Sequence, residues 1–306
     1  NYHMNQDFKK VFKTPKYTGV TLALLSMFVL TSMMVVWDRI SDSPNSKNSE
    51  LLEVFCEKNL QPVFRPAIQS FYQKTGIGCN VSFLTNEEIA NLLSEKDKGT
   101  SVVFLGEESY NTKKTYQDSC DEKIVLGHLS PEEERFDENN FTGESVFYLI
   151  GSDLLNPSHA FALKRFIISP DYGHSLLTEK GFVPKLGDKW QRTPTLLVYA
   201  TENLREKLAH CLNSFSNREG IQVELNIRSE ESIEKTVALI AKSNAKQYLP
   251  DIVFGTSKIE NYTNLYVPSK NNRGTISAFL SYISNTTQCR HSAQRLVSAV
   301  EKCWAK

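Results

Sequence analysis

Apolar and polar residues run in the same order twice along this chain, from residue 51 and again from residue 195. Each stretch opens on a short apolar run, Leu51–Phe55 or Leu196–Tyr199, which predicts a buried strand. In the first stretch Leu60, Val63, Phe64, Ala67, Ile68, Phe71 and Tyr72 follow at three- and four-residue spacing. That spacing places one apolar stripe on an amphipathic helix. Gly76 and Gly220 stand where a helix C-terminal glycine belongs. Alternation at Val81 and Phe83, and at Val223, Leu225 and Ile227, predicts a second strand. A helix opened by polar residues comes next, at Thr85-Asn86-Glu87-Glu88 and at Ser229-Glu230-Glu231-Ser232. A third strand follows, Val102–Leu105 and Ile252–Phe254. Strand, helix, strand, helix, strand implies an α/β lobe with a parallel sheet under covering helices.

The two stretches align residue by residue at a constant offset. Val54 meets Val198, Phe55 meets Tyr199, Asn59-Leu60 meets Asn203-Leu204, and Phe64, Ile68 and Phe71 meet Leu208, Leu212 and Phe215. Farther on, Ala162-Leu163 and Phe166-Ile167 align with Ala278-Phe279 and Tyr282-Ile283 at a shorter offset. The first copy therefore has the longer middle, around 111–145, including an acidic stretch at 131–138 that reads as a solvated loop. Two tandem domains are expected, 51–190 and 195–306, joined at Thr193-Pro194.

Ahead of them, Val20–Trp37 is a run of 18 residues without charge, Gly or Pro. Extended by Thr18 and Gly19, it is long enough for a hydrocarbon core of about 30 Å. The expectation is a single transmembrane helix over 18–38. Lys9, Lys10, Lys13 and Lys16 precede it, so the positive-inside rule puts segment 1–17 in the cytoplasm. Residues 39–50 read as a linker. The expected site is then a bacterial inner membrane, with the bulk of the chain periplasmic and the lipid bilayer a partner of the helix.

The first copy resembles the periplasmic substrate-binding proteins of the molybdate-binding, ABC-transporter type. The likeness is carried by VFCEKNLQPVF, by YQKTGIGCNVSF, by VVFLGEESY and by NPSHAFALKRFIISPDYGHSLLTEKGFVP at 156–184. It implies a substrate-binding-protein-like α/β fold in both lobes and an oxyanion held by hydroxyls and backbone N–H groups at helix N-termini. The residues placed to serve such a ligand are Asn59, Thr85 and Asn86 in the first copy and Asn203, Ser229 and Thr256 in the second. The chain departs from the family's pattern. Asn59 stands where a serine is usual, Glu87 and Glu230 would oppose an anion, and Ser101 replaces an Asp that the second copy keeps as Asp251. The second lobe that the family inserts before the Asn-Pro helix has no room here.

Other chemistry is not signalled. There is no G-x-G-x-x-G, no G-x-x-x-x-G-K-[ST], no H-E-x-x-H, no C-x-x-C and no G-x-S-x-G. His3, His128, His159, His174, His210 and His291 lack ligand spacing and read as surface or capping residues, so no metal, cofactor or catalytic residue is expected. The 35 basic residues equal the 35 acidic ones, which argues against a nucleic-acid partner. Of six cysteines, Cys56 and Cys79 fall at opposite ends of neighbouring parallel strands, too far apart to bridge. Cys289 and Cys303 could pair only across a broken helix. A bridge from Cys211 to Cys289 or to Cys303 is open. The reading is a non-catalytic accessory or scaffold protein that contacts protein partners. The alternative is the solute-binding component of an ABC transporter, with an oxyanion-like ligand in a cleft between the repeats.

Overall fold

The computed structural model describes Met27, 51–95, 100–112, Tyr116, 120–129, 143–243, 248–255, 262–266, 280–284 and 287–304. Residues 50–306 form one compact unit that holds both repeats. Lobe one runs β1 (Leu52–Glu57), a 3-10 turn (Lys58–Leu60), α1 (Gln61–Thr75), β2 (Cys79–Leu84), α2 (Asn86–Glu95), β3 (Val102–Gly106), α3 (Glu107–Thr112), β4 (Cys120–Leu129), β5 (Ser145–Gly151), α4 (Pro157–Ile167), α5 (Gly173–Thr178) and β6 (Phe182–Pro184). Lobe two runs β7 (Thr195–Thr201), a 3-10 turn (Glu202–Leu204), α6 (Arg205–Glu219), β8 (Gln222–Arg228), α7 (Glu230–Lys242), β9 (Ile252–Gly255), β10 (Tyr262–Tyr266), β11 (Leu280–Ser284) and α8 (Arg290–Trp304).

The repeat is real at the level of topology. Lobe one orders its strands β2-β1-β3-β5-β4-β6, and lobe two orders them β8-β7-β9-β11-β10. In both, the first strand lies between the second and third and parallel to them: Val54 pairs with Val81 and Val102, and Val198 with Leu225 and Ile252. Gly76 and Gly220 close α1 and α6 at φ of 72° and 64°, a left-handed conformation that glycine adopts without a Cβ penalty.

Two parts of the expected fold class are corrected. The sheets are mixed, not parallel throughout. β5 runs antiparallel to β3, and β4 to both β5 and β6; in lobe two β11 runs antiparallel to β9, and β10 to β11. Beyond the third strand the next strand in the chain, β4 or β10, lies two places away, and the strand after it, β5 or β11, inserts between them antiparallel to both. The expected transmembrane helix is also not carried. Among the described residues no helix is long and apolar enough to cross a membrane. The longest of them have 15 residues, about 22 Å against about 30 Å of hydrocarbon. The span placed at 18–38, Met27 apart, lies outside the described residues, as do the segments 1–17 and 39–50 and the acidic stretch 131–138.

The downstream half of the repeat also pairs differently. Phe166-Ile167 lies on helix α4, but Tyr282-Ile283 lies on strand β11. The counterpart of α4 is α8, which follows β11 as α4 follows β5.

Strand β3 is buried on both faces, as its unbroken apolar run Val102–Leu105 requires. On one face Phe64, Phe104 and Tyr148 stack in sequence, with ring centroids 4.7 and 4.9 Å apart, beneath α1, α4 and α5. On the other, Ile89, Leu93, Tyr110 and Tyr116 cover Val103 and Leu105. Lobe two repeats this with α6 and α8 over one face and Ile233 and Val237 of α7 over the other.

Candidate functional site

In open α/β sheets ligands gather at the carboxyl ends of the parallel strands, and the described residues among those expected to bind, Asn59, Thr85, Asn86, Asn203 and Ser229, follow such ends. In lobe one they are already engaged. Thr85 donates its backbone N–H and its hydroxyl to Glu88 Oε2, at 2.8 and 2.9 Å, and accepts the Glu88 N–H at 3.3 Å. This reciprocal capping box starts α2 and holds the Glu88 carboxyl below its ordinary pKa. Asn86 Nδ2 donates to Thr112 Oγ1 at 3.4 Å, and the Tyr116 hydroxyl is directed at the Asn86 carbonyl, 2.9 Å away, and at its side-chain oxygen. Asn59 is exposed on the 3-10 turn.

Carboxylates occupy the remaining donors of this edge. Glu57, the last residue of β1, accepts the Gly106 N–H at 2.9 Å and the Ser109 hydroxyl at 2.7 Å. Glu107 accepts the Ser145 N–H at 3.2 Å, and the Ser145 side chain together with that N–H holds its carboxyl below the usual range. Glu144 accepts the Glu108 N–H at 3.4 Å. Donors that would neutralise an incoming anion are thus taken by the protein's own negative charge. Gly106 is crowded too, since a Cβ there would fall 2.4 Å from Glu144 Oε1.

In lobe two Thr201 stands where Glu57 does, and its hydroxyl donates to Asn203 Oδ1 at 2.6 Å. Ser229 caps α7 by accepting the Ser232 N–H at 3.3 Å. Thr256 lies outside the described residues. Asp251 accepts the Leu197 N–H at 2.9 Å and the Thr287 hydroxyl at 2.5 Å, so it ties β9 to β7 and to the start of α8. Burial raises its pKa.

The lobes meet through α4, α6, α8 and β4, and the seam is polar at its centre. Arg295 of α8 donates to Glu122 of β4 at 2.6 Å and grips Glu219 of α6 with two further N–H groups. Arg218 of α6 reaches Asp121 at 2.8 Å and Glu122 at 2.9 Å. Arg165 of α4 donates to the Glu219 carbonyl. Both Arg218 and Arg295 lie over the Phe161 ring, at 5.4 and 5.0 Å. Lys164 is 1% exposed, with its Nζ 3.2 Å from His291 Nε2. Burial lowers the Lys164 pKa to about 7 and the His291 pKa to about 4. Burial, the largest single effect, raises the Glu122 carboxyl, but the Arg295 hydrogen bond and the charges of Arg295, Arg218 and Lys164 together outweigh it and the net shift is downward. The cavity left at this seam, beside Arg165, Asp188 and His291, measures about 10 Å³, the lower limit for one water molecule.

A wider open concavity lies elsewhere among the described residues, between α1 and the edge strand β2. It measures about 530 Å³ and is lined by Leu51, Arg65, Ile68, Gln69, Tyr72 and Phe83. Leu51 and Tyr72 are 59% and 56% exposed. Neither this groove nor the seam charges stood out in the sequence. The groove's residues belong to the apolar stripe of α1 and its flank, and the seam's charges resemble those of any solvated helix face.

No family model and no curated protein matches this chain. Among solved structures, a Pseudomonas aeruginosa protein described as a LysR family transcriptional regulator matches at 13% identity, over 98% of this chain and 86% of that one. Its TM-score of 0.19 carries no argument. The resemblance to molybdate-binding proteins is therefore corrected. Its matched positions, such as Val54, Leu60, Phe64 and Gly76, are core and capping positions that a β-α-β unit needs whatever it binds.

Proposed function

We propose that this chain is a non-catalytic scaffold or accessory protein whose two lobes contact other proteins. The observation that carries the reading is Glu57, whose carboxylate fills the strand-end position where an anionic ligand would sit. Two features support it. The pocket at the seam beside Arg165, Asp188 and His291 holds about 10 Å³, too little for a solute. The apolar groove along β2 lies beside an edge strand, the kind of surface to which an extended segment of a partner protein adds. The Cys211–Cys303 disulfide supports folding in an oxidising compartment outside the cytoplasm.

The test is thermal unfolding of the full chain with molybdate, tungstate, sulfate and phosphate at millimolar concentration. No shift is expected with any of them. A ligand at about 100 times its Kd adds about 2.7 kcal/mol, a shift of several degrees. A selective shift of that size with one oxyanion would overturn the reading in favour of a solute receptor.

A further inference from the structure

The disulfide joins α6 to α8 in lobe two, and a third group stands beside it. His210 precedes Cys211 on α6, and its Nδ1 lies 4.0 Å from the Cys303 sulfur. The two sulfurs and a His210 ring nitrogen all lie within 4.8 Å of one another. Cys211 is buried, Cys303 is half-buried and His210 is exposed. The cluster therefore opens to solvent on one side while its base is held by packed helices. Lys207, the nearby cation, rests over the Trp304 ring at 5.2 Å.

We propose that reduction of the disulfide converts this cluster into a site for Zn²⁺, with Cys211, Cys303 and His210 as ligands. Two thiolates and an imidazole are a donor set that tetrahedral zinc selects, and the exposed side leaves a fourth position for water. Bond lengths of about 2.3 Å to sulfur and about 2.0 Å to nitrogen put tetrahedral ligands roughly 3.6 Å apart. The imidazole and the Cys303 sulfur already stand near that distance. The sulfurs must separate, and the Cα separation of 5.9 Å leaves room for it.

The chemistry balances. A dithiol gives the disulfide two electrons and two protons and becomes a disulfide itself; a phosphine gives two electrons, water gives the two protons and its oxygen, and phosphine oxide forms; either way the S–S bond becomes two thiols. Each thiol then releases its proton to solvent as its sulfur binds the cation. The disulfide and metal-bound states exclude each other, because a disulfide offers no thiolate. Lobe two thus holds the α6–α8 contact by a covalent bond when oxidised and by a metal bridge when reduced.

Cobalt(II) reports such a site through thiolate-to-metal charge-transfer absorption. The full chain, reduced with a phosphine, is titrated with Co²⁺ and then with Zn²⁺, alongside the oxidised chain. One Co²⁺ per reduced chain, displaced by Zn²⁺, is expected, with none on the oxidised chain. His210→Ala should weaken binding at least about tenfold, since even indirect partners of metal ligands cost that much. The double variant C211S/C303S should lose the absorption although Cys56, Cys79, Cys120 and Cys289 remain. Absence of the band on the reduced chain, its survival in C211S/C303S, or unchanged affinity in H210A would each overturn the site. His210 is exposed, so the H210A arm does not depend on the cysteine variant folding.

Discussion

Arg295 and Glu122 form an ion pair at 2.6 Å across the seam, although they lie in different repeats and both are about one-fifth exposed. Removing the arginine leaves Glu122 and the nearly buried Glu219 without their shared partner. Breaking one side of such a buried pair costs about 3–5 kcal/mol. Arg295→Ala should lose that much in urea unfolding. It should also separate one cooperative transition into two, because the same side chain holds the lobes together. A single transition at the wild-type midpoint would show that the seam is held by its other contacts without Arg295.

Lys164 makes the seam less stable at neutral and acid pH than in alkali. Arg295 of α8, Glu219 of α6, Glu122 of β4 and Arg165 of α4 face Lys164, and Asp188 of the connector faces its partner His291. Its folded pKa of about 7 lies below the unfolded value of about 10.4. Between the two, the unfolded chain holds a proton that the folded chain does not, so stability rises with pH across that window. His291 acts in the same sense between its folded value of about 4 and the unfolded value of about 6.5. The difference in denaturation midpoint between wild type and Lys164→Met should change steadily from neutral pH to the lysine range. Parallel curves would mean that Lys164 keeps its proton in the folded protein.

The disulfide closes a sequence separation of 92 residues. Chain-entropy arguments and measured removals of native bridges give about 2–5 kcal/mol for such a loop. Unfolding with and without reductant should differ by that amount. An unchanged midpoint would mean that α6 and α8 pack as firmly without the bond.

Glu57 is expected to be structural. Glu57→Ala leaves the Gly106 N–H and the Ser109 hydroxyl without their acceptor, and hydrogen bonds to a charged group contribute about 1.5–3 kcal/mol each. A loss of about 3–6 kcal/mol is expected in lobe one. A neutral or stabilised variant would mean that the carboxylate is held there against self-repulsion for some other purpose.

Tyr72 tests the groove. It is 56% exposed, so Tyr72→Glu should leave stability within about 0.5 kcal/mol. A photocrosslinking residue at position 72 should capture a discrete protein partner that one at the exposed Tyr248 does not. Equal labelling at both positions would sink the docking role.

Much of each lobe could be read from the chain because local rules suffice there. The stripe from Leu60 to Tyr72 can face only one way, Gly76 and Gly220 mark left-handed positions, and Ser229 announces a helix start. Strand direction was not legible. An apolar run such as Val146–Ile150 packs equally well parallel or antiparallel, and only its insertion between β3 and β4 decides. Tyr282-Ile283 matched a helix because two apolar pairs carry no period. The seam was invisible for a different reason. Lys164, Glu122, Glu219 and Arg295 are ordinary surface letters until the fold brings them together over Phe161. Cys303 could be named as one of two partners for Cys211, and the packing of α8 on α6, which brings the Cys211 and Cys303 Cα atoms to 5.9 Å, decides for it.

Asp188 lies in the connector between the lobes, yet its carboxylate accepts the His291 and Ser292 N–H groups at 2.8 Å, and the Ser292 hydroxyl as well. It therefore supplies the negative charge that the start of α8 wants. His291 follows it by 103 residues. During synthesis the docking point is made with lobe one, long before its helix emerges. Translation order thus gives the second lobe a finished template, and the hinge that a two-domain chain would ordinarily keep is used up in the assembly.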